Sequence, residues 1–147
     1  MDFSVLNPVA IAVAIIIAAT PLLFAALGEL VVEKSGVLNL GVEGMMIVGA
    51  IGGFAIALET GSLILAMLAG AAAGALLAGV FAIMTQYFLS NQVATGLALT
   101  MFGLGIAALV GQSYAGKTVQ VVSRLDVPGL SDLPIVGPLL LAHDPMI

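Results

Sequence analysis

The chain has 147 residues, of which 62% are apolar and 7% charged. A soluble domain carries about 25% charged residues, so this chain lacks the polar surface to cover a core in water, and lipid or other apolar helices must be its solvent. Eight acids against three bases give a net charge of −5, which excludes a phosphate-binding surface for nucleic acid and a polybasic membrane-surface peptide.

With no cysteine and a single histidine, His143, thiolate or histidine metal clusters and nucleophilic triads are also excluded. No phosphate-binding loop, metalloprotease motif or paired-carboxylate constellation is present. The chain is therefore expected to be no enzyme and to need no cofactor of its own.

The first apolar stretch runs from about Pro8 to Leu27. About 20 residues at 1.5 Å each cross a hydrocarbon core of about 30 Å. No Lys or Arg precedes it, so it reads as a retained span rather than a cleaved signal. Pro21 lies inside it and predicts a kink, which membrane helices tolerate when neighbours satisfy the freed carbonyl. The first charge cluster, Gly28 to Gly36, reads as a solvated turn.

A second span over 37–58 is less regular. Asn39 and Glu43 fall inside it, and Gly36, Gly41 and Gly44 make its first part a poor helix. A broken or half-inserted element up to Gly44 is expected, then a helix to about Leu58. From Thr60 to Gly116 no residue is charged. Ser90-Asn91-Gln92 divides that run into a long third span, 63–89, and a fourth, 93–112.

After Tyr114 the composition changes. Lys117, Arg124, Asp126, Asp132 and four prolines read as an extramembrane loop, 115–147. The last residues have no basic tail and lead from a proline into apolar residues, so the chain reads as cut short with further spans missing. The expected fold is one all-α domain over 1–147, a polytopic transmembrane helix bundle of about four spans. Lys34 falls on one side of it and Lys117 and Arg124 on the other, too few charges to orient it.

Lipid tails are as apolar as leucine, so small residues that let backbones approach hold such helices together. Gly70 and Gly74, continued by Gly79, are the strongest candidates for close packing. Gly49-Gly53 and Gly103-Ala107-Gly111 repeat the spacing.

Glu43 is the position hardest to explain by packing. A carboxylate in the bilayer is costly, about 2.5–3.5 kcal/mol on insertion scales, so it either lines a solute path, pins the broken segment or sits solvated at the interface. Asn39, four residues earlier, shares its face if the stretch is helical. Asn91, Gln92 and Thr95 open the fourth helix. Asn91 is a candidate N-cap, and all three are candidates for a polar path lining.

The string Glu33-Lys34-Ser35-Gly36-Val37-Leu38-Asn39-Leu40-Gly41-Val42-Glu43-Gly44-Met45-Met46, preceded by Thr20 to Glu29, resembles the permease subunits of bacterial ABC importers. The branch in question serves branched-chain amino acids, simple sugars and nucleosides, and the string is closest to its nucleoside and simple-sugar members. Asn91 to Thr100 is a second match, and Leu130 to Pro138 with Asp144-Pro145 a third.

The resemblance implies a multi-pass protein of the bacterial inner membrane. It implies uptake of a nucleoside or related sugar-type solute by alternating access. The implied partners are a second permease subunit, cytoplasmic ATPase subunits that hydrolyse the ATP, and an extracytoplasmic solute-binding protein. The loop after Tyr114 would face that binding protein. The element that docks on the ATPase lies in the half of the family's length that is absent here. A permease for branched-chain amino acids, a structural or assembly subunit without a solute path, and a truncated product inactive alone are the alternatives.

Overall fold

The structure is a computed structural model that describes residues 8–119. The chain divides into two compact units, one holding Met1–Phe24 and Val122–Ile147, the other Ala25–Val121. Most of the loop read over 115–147, with the third family match, lies outside the described residues. Every inter-element contact below lies within the second unit.

Four helices follow in order: α1 (Pro8–Lys34), α2 (Val42–Thr60), α3 (Leu63–Ala82) and α4 (Gln92–Gln112), with α3 running on into a π-helical turn, Ile83–Tyr87. No strand occurs among the described residues. All four helices are long and apolar enough to cross a membrane. Large apolar side chains project from them in the open, among them Leu76, Met101 and Leu109. Water would not tolerate so continuous an apolar surface, and lipid does. The fold is thus an all-α, multi-pass membrane bundle.

The ends of the elements follow from local chemistry. α1 continues through Pro21, where the Thr20 hydroxyl donates to the Ile16 carbonyl at 2.7 Å. It then runs past Leu27 and through the charged stretch read as a turn. Nothing between Gly28 and Lys34 forbids a helix, and Lys34 in the last turn suits its negative end. The reversal comes instead at Ser35-Gly36, where Gly36 takes φ +84, a conformation glycine adopts without a Cβ clash. α2 likewise runs past Leu58 to Thr60, and the turn is only Gly61-Ser62, with Gly61 at φ +65 returning its N–H to the Ala57 carbonyl and Ser62 capping α3.

The third helix ends differently from the sequence expectation of one helix over 63–89. Its last turn widens, with the Phe88 N–H reaching the Ile83 carbonyl at 3.1 Å. Leu89 then takes φ +53, and Ser90 ties back to the Met84 carbonyl through both its N–H and its hydroxyl.

α2 is the central helix. It packs antiparallel to α3 across glycines. A Cβ at Gly49 would lie 3.0 Å from the Gly70 carbonyl oxygen, and one at Gly53 3.0 Å from that of Ala66. It runs parallel to α4 on another side. Met45, Leu77, Phe81 and Leu99, one or two from each of these helices, form the buried cluster, and Val37 packs against it. The core therefore includes the non-helical residues that follow α1.

Candidate functional site

Residues 35–41 are not helical, yet they are held against the flank of α4 rather than beyond its end. Gly96 faces their backbone: a Cβ there would fall 2.8 Å from the Leu40 nitrogen and 2.9 Å from that of Gly41. The Thr100 hydroxyl donates to the Leu40 carbonyl at 3.0 Å. α4 is 21 residues long, about 31 Å, and Gly96 and Thr100 lie about 6 and 12 Å in from its first residue. The segment thus dips to a substantial depth beside a helix of spanning length.

Irregular backbone at membrane depth survives only where protein or enclosed water satisfies its polar groups. Here polar side chains do so one group at a time. The Leu38 N–H donates to Gln92 Oε1 at 2.8 Å. The Asn39 N–H donates to Glu29 Oε1 at 3.0 Å. The Gly41 N–H donates to Asn39 Oδ1 at 2.9 Å, and the Asn39 amide donates to the Met45 sulfur at 3.6 Å. Asn39 is only 7% exposed, and both ends of its side chain are engaged, the oxygen within the segment and the amide with Met45 of α2.

Gly41 leads into α2, and Gly44 continues the close approach. Its Cβ would lie 2.7 Å from both the Leu99 carbonyl oxygen and the Thr100 Cα, and a Cβ at Gly103 would lie 2.7 Å from the Gly44 carbonyl oxygen. Gly103 stands about 16 Å into α4, near its midpoint. Glu43, next to Gly44, is therefore near mid-depth although it sits in the first turn of α2. Its side chain is exposed. The amino end of α2 favours a carboxylate there, but does not remove the cost of placing one against lipid.

The remaining candidates are placed as follows. Asn91 caps α4, its Oδ1 accepting from the Ala94 N–H at 3.0 Å. Thr95 shares a hydroxyl–hydroxyl hydrogen bond of 2.9 Å with Ser90. Gln92 binds the non-helical segment, Asn39 braces it from within, and Glu43 stands two residues past it in the first turn of α2. Gly70 lies tightly against Gly49, Gly74 is in ordinary contact with the Met45 carbonyl, and Gly79 faces open space. Glu29 and Thr100 were not singled out from the sequence. Their partners lie ten and sixty residues away, and no local spacing announces them.

Helices of spanning length around a protein-held non-helical segment define a multi-pass membrane protein built to keep polar groups within the bilayer. A family model described as branched-chain amino acid transport system / permease component matches residues 11–133, and the chain belongs to that family. It is 44% identical over 124 residues to TsgC13 of Haloferax volcanii, provisionally named as a glucose ABC transporter permease protein, covering 82% of this chain and 38% of that one. It is 32% identical over 140 residues to the guanosine ABC transporter permease protein NupQ of Bacillus subtilis, covering 88% and 44%. It is 28% identical over 151 residues to the nucleoside ABC transporter permease protein NupC of Lactococcus lactis, covering 95% and 48%. The chain thus spans less than half the length of these curated relatives. No solved structure matches it.

Proposed function

We propose that this chain is a membrane-spanning component of an ATP-driven importer for nucleosides or related sugar-type solutes, and that it lines part of the translocation path. The observation that carries the reading is the exposed Glu43 carboxylate at the level of α4's midpoint. A charged group at that depth needs water, solute or a polar partner beside it, and a transport path supplies one. The strapped segment before it keeps its position fixed while the surroundings change. The relatives named for guanosine, nucleosides and glucose favour such solutes over branched-chain amino acids.

In this reading ATP hydrolysis belongs to partner ATPase subunits, and solute arrives from an extracytoplasmic binding protein. A second permease subunit completes the path, and this chain needs no cofactor. Asn39 and Gln92 act by fixing the segment, while Glu43 faces the path. The test is uptake of a panel of labelled nucleosides, glucose and leucine by cells carrying the complete transport system. Glu43→Gln is expected to lower nucleoside or sugar uptake with membrane insertion unchanged. Undiminished uptake removes Glu43 from the path, and uptake of leucine alone overturns the solute class.

A further inference from the structure

The contact between α2 and α4 changes character along its length. At Gly44 and Gly103 the two backbones touch, with no room for a single Cβ between them. Seven residues further along α2, the nearest atom to a Cβ at Gly111 is Ile51 Cδ1, at 3.8 Å. A side chain now fills the gap. Beyond it the Phe54 ring meets Tyr114 edge-on, with centroids 6.4 Å apart. The helices diverge from the glycine contact toward the Glu59 end and enclose a wedge packed with side chains.

Tyr114 closes the wide end of that wedge. Its hydroxyl donates to Glu59 Oε1 at 2.7 Å, and the Lys117 ammonium lies 5.0 Å from its ring centroid. One ring thus meets the body of α2, the end of α2 and the segment that leaves α4. Glu59 and Lys117 are both exposed, so water competes for these contacts and they can break and re-form, unlike the glycine contact.

We propose that Tyr114 is a releasable latch on the α2/α4 wedge. With the Tyr114–Glu59 bond made, the wide end is shut. With it broken, the helices part about the Gly44–Gly103 contact as a fulcrum. Lys117 adds a second exposed contact to the same ring. The latch is a property of the helix pair and stands whether or not the chain carries the solutes named above.

The chain contains no cysteine, so Gly111→Cys is a unique reporter inside the wedge, and its Cβ has ordinary room. The rate of its modification by a membrane-impermeant thiol reagent is read on the full chain in proteoliposomes. Tyr114→Phe, which removes only the hydroxyl, is expected to raise that rate by about threefold or more, the population shift that loss of one hydrogen bond produces. Glu59→Leu is expected to do the same. Thr85→Cys, buried at the far end of the bundle, is expected to react at the same slow rate in all backgrounds. An unchanged rate at Gly111→Cys in both variants overturns the latch, and so does an equal rise at Thr85→Cys, which marks general loosening of the bundle.

Discussion

The two ends of α2 are held to α4 by opposite means. At its start, glycine lets backbone rest on backbone, and the adjoining segment is bound by four long-range or turn hydrogen bonds from Glu29, Asn39, Gln92 and Thr100. At its end, bulky side chains fill a gap and one phenol closes it. A backbone contact has no rotamers to change and no partner that water can replace. A side-chain contact has both. A membrane protein that must hold polar backbone at depth and also move therefore does well to separate the two tasks along one helix.

The sharpest way to break this contrast is to add one methyl group at each end. At Gly103 an alanine Cβ would press on the Gly44 carbonyl oxygen at 2.7 Å and its Cα at 2.8 Å, atoms that cannot swing aside. Overpacking of this kind is expected to cost about 1–3 kcal/mol, and Gly103→Val more. At Gly111 the same methyl meets only the far end of a flexible isoleucine. Gly111→Ala is expected to be neutral or stabilising by about 0.5–1 kcal/mol, because alanine is the better helix former. Midpoints of denaturation in detergent check both, and equal effects at the two ends would abolish the distinction.

Next in size is the strapping of the segment. Glu29→Leu leaves the Asn39 N–H unpaired in a half-buried site, expected to cost about 1–3 kcal/mol. Glu29→Gln keeps an accepting oxygen and is expected to lose well under half of that. Amide hydrogen exchange at Asn39 separates the two, with fast exchange in Glu29→Leu and slow exchange in Glu29→Gln. If both variants exchange alike, Glu29 does not hold the segment.

Much of this architecture was legible in the sequence, and the gaps have physical causes. Three of the spans followed from charge-free runs and the second from an apolar run that admits Glu43, because lipid leaves a helix few other ways to satisfy its backbone. The non-helical stretch followed from the glycines at 36 and 41, but helix resumes at Val42 rather than after Gly44, because Gly44 is needed inside α2 for its contact with α4. The end of α1 did not follow, because a charge cluster suggests a solvated turn while Glu33 and Lys34 are comfortable in a last helical turn. The π-turn and Leu89 gave no signal, since a leucine occupies a left-handed position where glycine would have announced it. Within the site, Asn39, Glu43 and Gln92 stood out as polar residues in apolar surroundings. Glu29 passed as part of the charge cluster and Thr100 as an ordinary helix residue, because their partners are set by tertiary contact alone. The glycine pairs across α2 and α4 were hidden for the same reason: Gly44 and Gly96 meet backbone some fifty to sixty residues away.

The smallest effect belongs to the other end. The Glu59 carboxylate accepts the Tyr114 proton in a hydrogen bond, and that bond, with lesser help from desolvation and from the carboxylate's charge, raises the phenol above its ordinary value of 10.0. The folded state therefore holds this proton more tightly than an unfolded chain does. The corresponding contribution is fully present below pH 10 and fades as pH climbs through Tyr114's own higher value. With Tyr87→Phe, Tyr114 is the sole tyrosine, and its phenolate absorbance is expected to appear above pH 10. Adding Glu59→Gln replaces the charged acceptor by a neutral one and should bring the titration back toward 10. A midpoint indifferent to Glu59 would mean that the phenol is free in the membrane-embedded protein. The wide end of α2 would then be open by default, and only the glycine end would define how the two helices sit together.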